Sequence, residues 1–369
     1  MFEVTKTIDG CNARSGILTT AHGKIETPFL MPVATKGAAK LISFQDLEKT
    51  GLRCLIANSF LLYLKPGLDV IERAGGLHKF MHWDHGVFTD SGGFQVLSSR
   101  FLIESNPEEV ILKNPFNGSP LKLNAELAMK IQSSLGSDVA MVLDDLPPHH
   151  FSEEQLVASV KKTIYWAERC KKAHSNEKQM LFGIGQGSLN IDLRLKCLKK
   201  LIELDFDGLA FGGLSIGESP DAMHNVIQKC INIMPAQKPR YLMGLGTPLE
   251  ILDSVELGLD IFDSCYPTRV ARHGTLLTST GKINIYTSQF KFDQKPLDES
   301  CDCFVCKNHS RSYLHHLIRC KEPSGEMLAS YHNVFFMAKL MENIRLSIKE
   351  NSFKEFKQSF ISKYIKKES

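Results

Sequence analysis

Residues 261–274, IFDSCYPTRVARHG, have the pattern of a short buried strand followed by a positively charged loop. The apolar start leads to one carboxylate, Asp263, and Arg269 and Arg272 follow it. An acid beside two guanidinium groups suits attack on a substrate that carries phosphate. The same residues also fit an acid that caps a loop and pairs with its own arginines, because structural ion pairs perturb acids as catalysis does. The rest of the chain has to decide between these interpretations.

The composition is that of an ordinary globular protein. Of the 369 residues, 43% are hydrophobic and 23% charged, and the net charge is only +3. A nucleic-acid partner would therefore have to be met by a local basic surface. We expect a cytoplasmic protein, since the N-terminus lacks a signal-peptide pattern and no apolar run has the length of a membrane span. Seven isolated cysteines are expected to be reduced thiols: Cys11, Cys54, Cys170, Cys197, Cys230, Cys265 and Cys320.

Short apolar runs alternate with helical patterns along most of the chain. The runs are residues 29–33, 54–57, 87–89, 139–143, 181–184, 208–211, 241–243 and 259–262. The helical patterns are residues 43–50, 125–135, 152–173, 191–204, 220–233 and 248–257. Several of them have a capping residue at the start, namely Asn124, Ser152, Asn190, Ser219 and Thr247. The alternation predicts an α/β protein with a (β/α)8 TIM barrel and not an open doubly wound sheet.

Two regions depart from this rhythm. Residues 110–123 alternate around an Asn117-Gly118 pair, which predicts a hairpin inserted at the barrel rim. Beyond the eighth run, residues 286–299 are polar and irregular, residues 310–350 are helical, and residues 354–369 form a lysine-rich helix. We therefore expect a catalytic barrel at 1–285, a metal-binding subdomain at 286–350 and a C-terminal helix and tail at 351–369.

Acids, amides and glycines follow the predicted strands. In a barrel of this kind these positions meet at one mouth and build the active site. Asp144 and Gln186 can bind the edges of a planar heterocycle, and Phe94 can stack on its face. Asp90 and Asp263 are left as a pair of carboxylates, which is what exchange at a glycosidic bond uses.

Three cysteines lie within six residues, at Cys301, Cys303 and Cys306. With one histidine they would make a closed tetrahedral Cys3His zinc site, which has no free coordination position and is therefore structural. The spacing leaves the fourth ligand open among His309, His315, His316 and His332.

Six ordered motifs together resemble one family. They are DSGGFQ from Asp90, GIGQGS from Gly183, GGLSIGE from Gly212, MGLGTP from Met243, FDSCYPTRVARHG from Phe262, and CDCFVC from Cys301 with YHN at Tyr331. They resemble the bacterial-type tRNA-guanine transglycosylases over nearly the whole chain. The resemblance implies a TIM barrel with a zinc subdomain. It also implies a pentosyltransferase that exchanges guanine at anticodon position 34 for a 7-deazaguanine base, in queuosine biosynthesis.

The resemblance also implies roles for individual residues. Asp263 corresponds to the nucleophile and Asp90 to the general acid/base. Base binding is implied for Asp90, Ser91, Gly92, Gly93, Phe94, Asp144, Gln186, Gly213, Leu214 and Met243. RNA binding is implied for Gly244, Leu245, Gly246, Thr247, Pro248, Leu249, Glu250, Thr268, Arg269, Val270, Ala271 and Arg272. The zinc ligands would be Cys301, Cys303, Cys306 and His332, and the implied assembly is a homodimer with the zinc region near the interface.

Two departures from the family pattern concern the pocket for the 7-substituent. Asp145-Leu146-Pro147 follow Asp144 where bacterial members usually have Glu and Cys, and Ser215-Ile216 replace smaller residues. Ile216 argues against the bulky base queuine, whereas the loss of the Cys argues against an ordinary pocket for preQ1, the small aminomethyl base. We expect preQ1, with queuine as the alternative. The rival functions are a retaining glycosidase, which leaves Arg269 and Arg272 unexplained, and a non-catalytic tRNA-binding subunit, which would lack the two acids.

Overall fold

The computed structural model describes residues 1–92, 101–146 and 151–365. Its strands, numbered β1 to β16 in chain order, are Phe2–Thr7, Arg14–Thr20, Gly23–Thr27, Phe29–Pro32, Cys54–Asn58, Gly86–Asp90, Leu102–Ser105, Val110–Lys113, Pro120–Leu123, Val139–Met141, Met180–Gly185, Gly208–Phe211, Arg240–Leu242, Ile261–Ser264, Thr275–Thr278 and Gly281–Asn284.

The α-helices, numbered α1 to α14 in the same way, are Phe44–Lys49, Ser59–Leu64, Leu68–Arg73, Leu77–Met81, Ala125–Leu135, Glu153–Ala173, Ile191–Glu203, Pro220–Cys230, Pro248–Glu256, Tyr266–Arg272, Phe304–Asn308, Arg311–Arg319, Pro323–Lys349 and Phe353–Tyr364. Two 3-10 turns lie at Ile231–Ile233 and Ser288–Phe292.

Eight strands form one parallel sheet in the order β4-β14-β13-β12-β11-β10-β6-β5. The two end strands approach each other through a bridge between Val33 and Ile56, and the Ala34 amide donates to the Ile56 carbonyl at 2.7 Å. The sheet is thus nearly closed into a barrel. Each strand contains or overlaps one of the eight apolar runs, so the predicted TIM barrel is confirmed.

Aromatic side chains fill the barrel interior around Phe88. Its ring centroid lies 5.7 Å from that of Phe182 and 6.1 Å from that of Tyr241, both edge to face. Gly208 makes room for this packing, because a Cβ atom there would lie 2.4 Å from the Phe182 ring. A barrel packed in this way is a solid core and leaves chemistry to its ends.

The predicted helix caps hold at four of five positions. Side chains of Asn124, Ser152, Asn190 and Ser219 each accept a hydrogen bond from an amide in the first turn of the helix that follows. Thr247 lies at the start of α9, but its hydroxyl donates to the Glu250 carboxylate instead of accepting from an amide. The prediction that Thr247 caps the helix through its side chain is therefore wrong, although the helix begins where the sequence predicts.

The predicted insertion is part of a three-stranded antiparallel sheet, β7-β8-β9. β8 and β9 pair from Val110 with Leu123 to Lys113 with Pro120. The Asn117-Gly118 pair lies within the connecting loop, residues 114–119, where the Gly118 amide donates to the Asn114 carbonyl at 2.8 Å. The hairpin is confirmed, and β7 is an addition that the sequence did not predict.

A hairpin formed by β2 and β3 is attached to the lower end of the barrel, opposite the mouth, by the carboxylate of Asp138. One oxygen of Asp138 lies 2.9 Å from Nδ1 of His22 and 3.1 Å from the His22 amide, and the other lies 3.1 Å from Nε2 of His78. The Val87 amide donates to it at 2.9 Å. The two imidazole rings stack 3.4 Å apart. We call this group the Asp138 clasp.

The C-terminal part packs one long helix, α13, against α10 and against the hairpin of β15 and β16. Asn333 of α13 makes the connection: its side-chain amide donates to the carbonyls of Pro267 and Thr275, and its oxygen accepts from the Leu277 amide. None of the described helices is long and apolar enough to cross a membrane. The division at residues 285 and 350 stays a prediction.

The Asp138 clasp should make stability depend on acid. Burial alone would raise the pKa of Asp138, but hydrogen bonds from His78, His22 and the Val87 amide lower it to about 2. A lowered pKa stabilises the fold above the unfolded value of roughly 4, and this contribution is lost as the pH falls towards 2. Asp138→Asn should therefore lower the free energy of unfolding by about 2–3 kcal/mol near neutral pH.

Urea unfolding of wild type and Asp138→Asn at several pH values would measure this effect, with the exposed residue Asp84, changed to Asn, as the control. The difference between wild type and Asp138→Asn should shrink between about pH 4 and pH 2. A difference that does not change with pH would show that the charge of Asp138 is not what stabilises the clasp.

Candidate active site and metal centre

Asp90 ends β6 at the barrel mouth and is held by two donors. The Asn58 side chain donates to one of its oxygens at 3.1 Å, and the Gly92 amide donates to the other at 3.0 Å. Burial raises the pKa of Asp90 to about 7, with a further contribution from the charge of Asp263, although both hydrogen bonds lower it. Near neutral pH this carboxyl can therefore both give and take a proton.

Asp263 ends β14, across the mouth from Asp90, and the described residues bind one of its two oxygens. That oxygen accepts from the Tyr241 hydroxyl at 2.5 Å and from the Gly244 amide at 2.9 Å. Burial raises the pKa of Asp263, and these two donors lower it. Among the described residues none donates to the other oxygen, Oδ2. The interpretation of Asp263 as an acid paired with its own arginines is therefore excluded for the part of the chain that the structure describes.

Asp144 and Gln186 form a second polar pair at the mouth. Nε2 of Gln186 donates to the Asp144 carboxylate at 2.6 Å. Burial raises the pKa of Asp144 to about 6, against the lowering effect of this bond. Gln186 is fully buried, and within the described chain its Oε1 has no hydrogen-bond partner. A buried acceptor without a donor is costly, so this atom indicates a place for a ligand N–H group.

The loop after β12 lies against Gln186. A Cβ atom at Gly212 would lie 2.4 Å from Nε2 of Gln186, and one at Gly213 would lie 2.4 Å from Oε1. Gly213 also has a positive φ of 66°, so only glycine fits here without strain. Cδ1 of Leu146 would lie 3.0 Å from the same added Cβ atom at Gly213. Leu146, one of the residues that depart from the family pattern, therefore borders the Gln186 pocket.

Glu218 closes that loop on itself. Its carboxylate accepts from the amides of Ser215 and Ile216, the latter at 3.0 Å. Arg194, fully buried on α7, braces the loop from below by donating to the carbonyls of Gly185 and Gly212 at 3.0 and 3.1 Å. The backbone around the pocket is thus fixed by two charged side chains.

The other residues expected to bind the base differ in how far they are buried. Ser91 and Leu214 are buried, and Met243 is partly exposed. Gly92 reaches Asp90 through its amide. Gly93 and Phe94 lie outside the described residues.

The segments expected to bind RNA follow β13 and β14, next to Asp263. Residues 244–250 form a loop and the first turn of α9, and residues 268–272 lie in α10. Arg269 is exposed and Arg272 half-buried. Neither pairs with a carboxylate of the described residues, since Arg269 contacts the Cys265 sulfur and Arg272 the Thr268 carbonyl. Both guanidinium groups are thus available to phosphate.

The three clustered cysteines meet His332 at one point. Sulfur atoms of Cys301, Cys303 and Cys306 lie 4.0, 3.5 and 3.4 Å from its Nδ1. Zinc bond lengths of about 2.3 Å to sulfur and 2.0 Å to nitrogen imply separations of roughly 3.5 Å between tetrahedral ligands. His332 donates from Nε2 to the Leu277 carbonyl at 2.8 Å, which leaves the Nδ1 lone pair facing the sulfurs. The cluster could therefore hold a metal ion, and His332 is the histidine that joins it.

Comparison with known proteins agrees with this geometry. The sequence model of the family described as Queuine tRNA-ribosyltransferase matches residues 9–366. Queuine tRNA-ribosyltransferases of Anoxybacillus flavithermus and Lysinibacillus sphaericus are each 45% identical over 364 residues, covering 98% of this chain and 96% of the relative. One from Fusobacterium nucleatum is 46% identical over 355 residues, 95% of either chain.

The chain belongs to the queuine tRNA-ribosyltransferase family. It is accordingly a transferase, and the predicted membership of the tRNA-guanine transglycosylases is confirmed.

Three residues at the site of this family member were missed from the sequence. Asn58 directly follows the apolar run 54–57, so the rule applied to the other strand ends would have found it. Tyr241 was predicted only as part of a strand, and its contact with Asp263 depends on neighbouring strands facing the barrel axis together. Arg194 lies in a helix whose pattern gives no sign that a charged residue is fully buried.

The Cys3His cluster should be needed for folding and not for chemistry. Cys303→Ser removes one of four ligands and should reduce bound metal to well below one ion per chain. It should also lower the free energy of unfolding by on the order of 4 kcal/mol. Metal content by mass spectrometry and urea unfolding measure the two effects. Cys320→Ser, at an exposed cysteine outside the cluster, is the matched control. A Cys303→Ser protein with normal stability and lost turnover would instead indicate a catalytic metal.

Proposed function

We propose that the protein exchanges guanine at position 34 of tRNAs with GUN anticodons for preQ1, through a covalent enzyme-tRNA intermediate, in queuosine biosynthesis. The substrates would be the tRNAs for aspartate, asparagine, histidine and tyrosine. The alternatives are the same exchange with queuine, and a non-catalytic tRNA-binding subunit. We propose that the protein acts in the cytoplasm, where it would meet its tRNA substrates.

The observation that carries the proposal is the contrast between the two acids at the mouth. Asp263 has one oxygen fixed by Tyr241 and Gly244, which leaves Oδ2 to attack C1′ of the ribose. As the C1′–O bond forms, the bond from C1′ to N9 of guanine breaks. Asp90, with its pKa raised to about 7, can supply the proton that the departing guanine needs.

The second half of the exchange reverses these roles. Asp90, now ionised, takes a proton from N9 of the incoming base, and that nitrogen displaces Asp263 from C1′. Two displacements at one carbon retain its configuration, as in retaining glycosidases. The raised pKa of Asp90 suits both half-reactions, because neither protonation state is strongly favoured near neutral pH.

Base recognition fits the pair of Asp144 and Gln186. Asp144 can accept from N–H groups at one edge of a guanine-like base. Oε1 of Gln186, which has no partner among the described residues, supplies a further buried acceptor. Amides of Gly213 and Leu214 would meet the carbonyl edge, and Ser91, Gly92, Gly93, Phe94 and Met243 would complete the pocket.

RNA binding is proposed for two segments next to Asp263, residues 244–250 and 268–272. They follow adjacent barrel strands, so RNA held there would bring its ribose to the nucleophile. Arg269 and Arg272 lack carboxylate partners in the described chain and suit phosphate.

We propose zinc as the metal of the Cys3His cluster, because three sulfurs and one imidazole nitrogen are its preferred tetrahedral donors. The ion would join α11 to α13 and stabilise the fold. A homodimer is supported by exposed aromatic rings beside the cluster, on Phe304 and Tyr313, since exposed aromatic patches often mark protein interfaces.

The covalent step is the most direct test. The protein is incubated with a GUN-anticodon tRNA and 9-deazaguanine, which has carbon in place of N9 and so cannot complete the exchange. A slowly migrating protein-RNA band should appear on a denaturing gel for wild type and be absent for Asp263→Asn. Asp253→Asn, a carboxylate on the outside of α9, is the control and should keep the band.

Either of two results would contradict this assignment. A band that persists in Asp263→Asn would remove Asp263 from its role. No band with wild type, although the tRNA still binds, would favour the non-catalytic subunit.

The choice of base depends on the loop closed by Glu218. Because Glu218 holds the amides of Ser215 and Ile216, the backbone of the loop is fixed. We expect the Ile216 side chain to take space that a bulky 7-substituent would need. We expect preQ1 to displace labelled guanine from tRNA at a concentration at least about 10-fold lower than queuine does. Ile216→Gly should narrow that ratio, and Ile251→Val, a buried change on α9, is the control. Preference of the wild type for queuine would overturn the assignment.

A further inference from the structure

A small cavity on the barrel rim is bordered by residues to which the proposed exchange gives no role. It measures about 230 Å3 and lies between α2 and the rim hairpin of β8 and β9, with Asn58, Phe60, Leu112, Lys113 and Phe116 in its lining. Asn58 also donates to Asp90. The cavity therefore begins beside the proposed general acid/base and leads away from it along the rim.

Phe116 presents an aromatic face at the outer end of this cavity. Phe116 is 44% exposed near the tip of the loop. The loop holds it firmly, since Oδ1 of Asn114 accepts from the Phe116 amide at 2.8 Å. Oδ1 of Asn117 accepts in the same way from the Ser119 amide at 3.0 Å. The ring is thus presented on a loop braced by two side-chain turns.

Lysines surround the Phe116 ring. Nζ of Lys36 and of Lys65 lie 5.5 and 5.7 Å from its centroid. Lys113 lines the same cavity. All three side chains are exposed, and none pairs with a carboxylate anywhere in the described ranges. In contrast, Lys122 of the same hairpin pairs with Glu109 at 2.6 Å.

Barrel order connects this group with the segments proposed to bind RNA. Lys36 follows β4 and Lys65 follows α2, which itself follows β5. β4 pairs with β14, after which Arg269 and Arg272 occur. Unneutralised positive charge therefore extends along one side of the mouth, on a protein whose net charge is only +3.

We infer that Phe116, Lys36, Lys65 and Lys113 form a second RNA-contact surface for the tRNA substrate. An unstacked base of the anticodon loop stacks on Phe116, and the lysines bind the phosphates on either side of it. Aromatic rings flanked by lysines bind single-stranded RNA in this way. A cavity of about 150 Å3 accommodates benzene, so 230 Å3 has room for the edge of a base. The inference rests on the proposed function, since it takes tRNA as the substrate.

The test measures guanine exchange in a stem-loop RNA with a GUN anticodon, at varied RNA concentration and salt. Phe116→Ala should raise KM for the RNA by about 10-fold or more and leave kcat within about twofold, because only binding of a neighbouring base is lost. Phe116→Tyr keeps the ring and should restore the KM. Lys36→Gln combined with Lys65→Gln should reduce the slope of log KM against log salt by roughly 1.4 to 1.8, or 0.7 to 0.9 per lysine.

Matched controls lie at the opposite end of the barrel. Lys79 and Phe80 are exposed neighbours on α4, before β6 begins, and Lys79→Gln with Phe80→Ala should change neither KM nor the salt slope. The inference is overturned if Phe116→Ala keeps the wild-type KM, if Phe116→Tyr fails to restore it, or if the salt slope of the lysine variant is unchanged.

Direct binding separates this inference from the proposed function. Fluorescence anisotropy of the labelled stem-loop RNA, with no free base present, gives an affinity whether or not exchange occurs. If wild type binds but does not exchange, the proposed function fails, and the surface is judged by whether Phe116→Ala weakens the affinity by about 10-fold. If wild type does not bind the RNA, both proposals fail.

Discussion

The site depends on one constraint. Three carboxylates are buried away from water at one end of a packed barrel. Burial raises the pKa of Asp90, Asp144 and Asp263 alike. Their hydrogen bonds then distinguish them. Asp263 receives a hydroxyl and an amide on one oxygen, which favours its charged form. Asp90 lies near that charge and reaches a pKa of about 7. The same low-dielectric mouth can therefore keep one carboxyl ready to release a proton and the other ready to attack.

The metal cluster supports this mouth from a distance. His332 and Asn333 are adjacent on α13, and both bind the β15 hairpin. Asn333 also donates to the carbonyl of Pro267, in the helix that directly follows Asp263. A metal ion holding His332 would therefore help to fix α10, the helix that follows Asp263. This explains how a closed cluster without a free coordination position can matter to a reaction in which it takes no part.

The sequence predicted the barrel well because each strand is a compact apolar run between polar turns, a signal that is local. The residues that follow each run are also identified locally, and they predicted Asp90, Asp144, Gln186 and Asp263 as candidate site residues. What the sequence could not predict depends on distant partners. The contact of Asp138 with His22 joins residues 116 positions apart in the chain. Thr247 occupies a cap position, but its hydroxyl donates to Glu250 and accepts from no amide of the first turn, a side-chain orientation that the sequence pattern does not specify.

The distribution of charge over the surface likewise depends on the folded structure and cannot be predicted from local sequence. Basic and acidic residues are nearly equal in number, with 44 lysines and arginines against 41 aspartates and glutamates. Many of them pair on the outer helices, as Lys357 does with Asp253 and Glu256. At the mouth the acids are buried in the barrel, where their hydrogen bonds come from amides, a tyrosine and a glutamine. Within the part of the chain that the structure describes, Lys36, Lys65, Arg269 and Arg272 are then left without carboxylate partners. A nearly neutral protein thereby acquires a positive rim around a set of buried carboxylates, and such a rim attracts a polyanion without neutralising the acids.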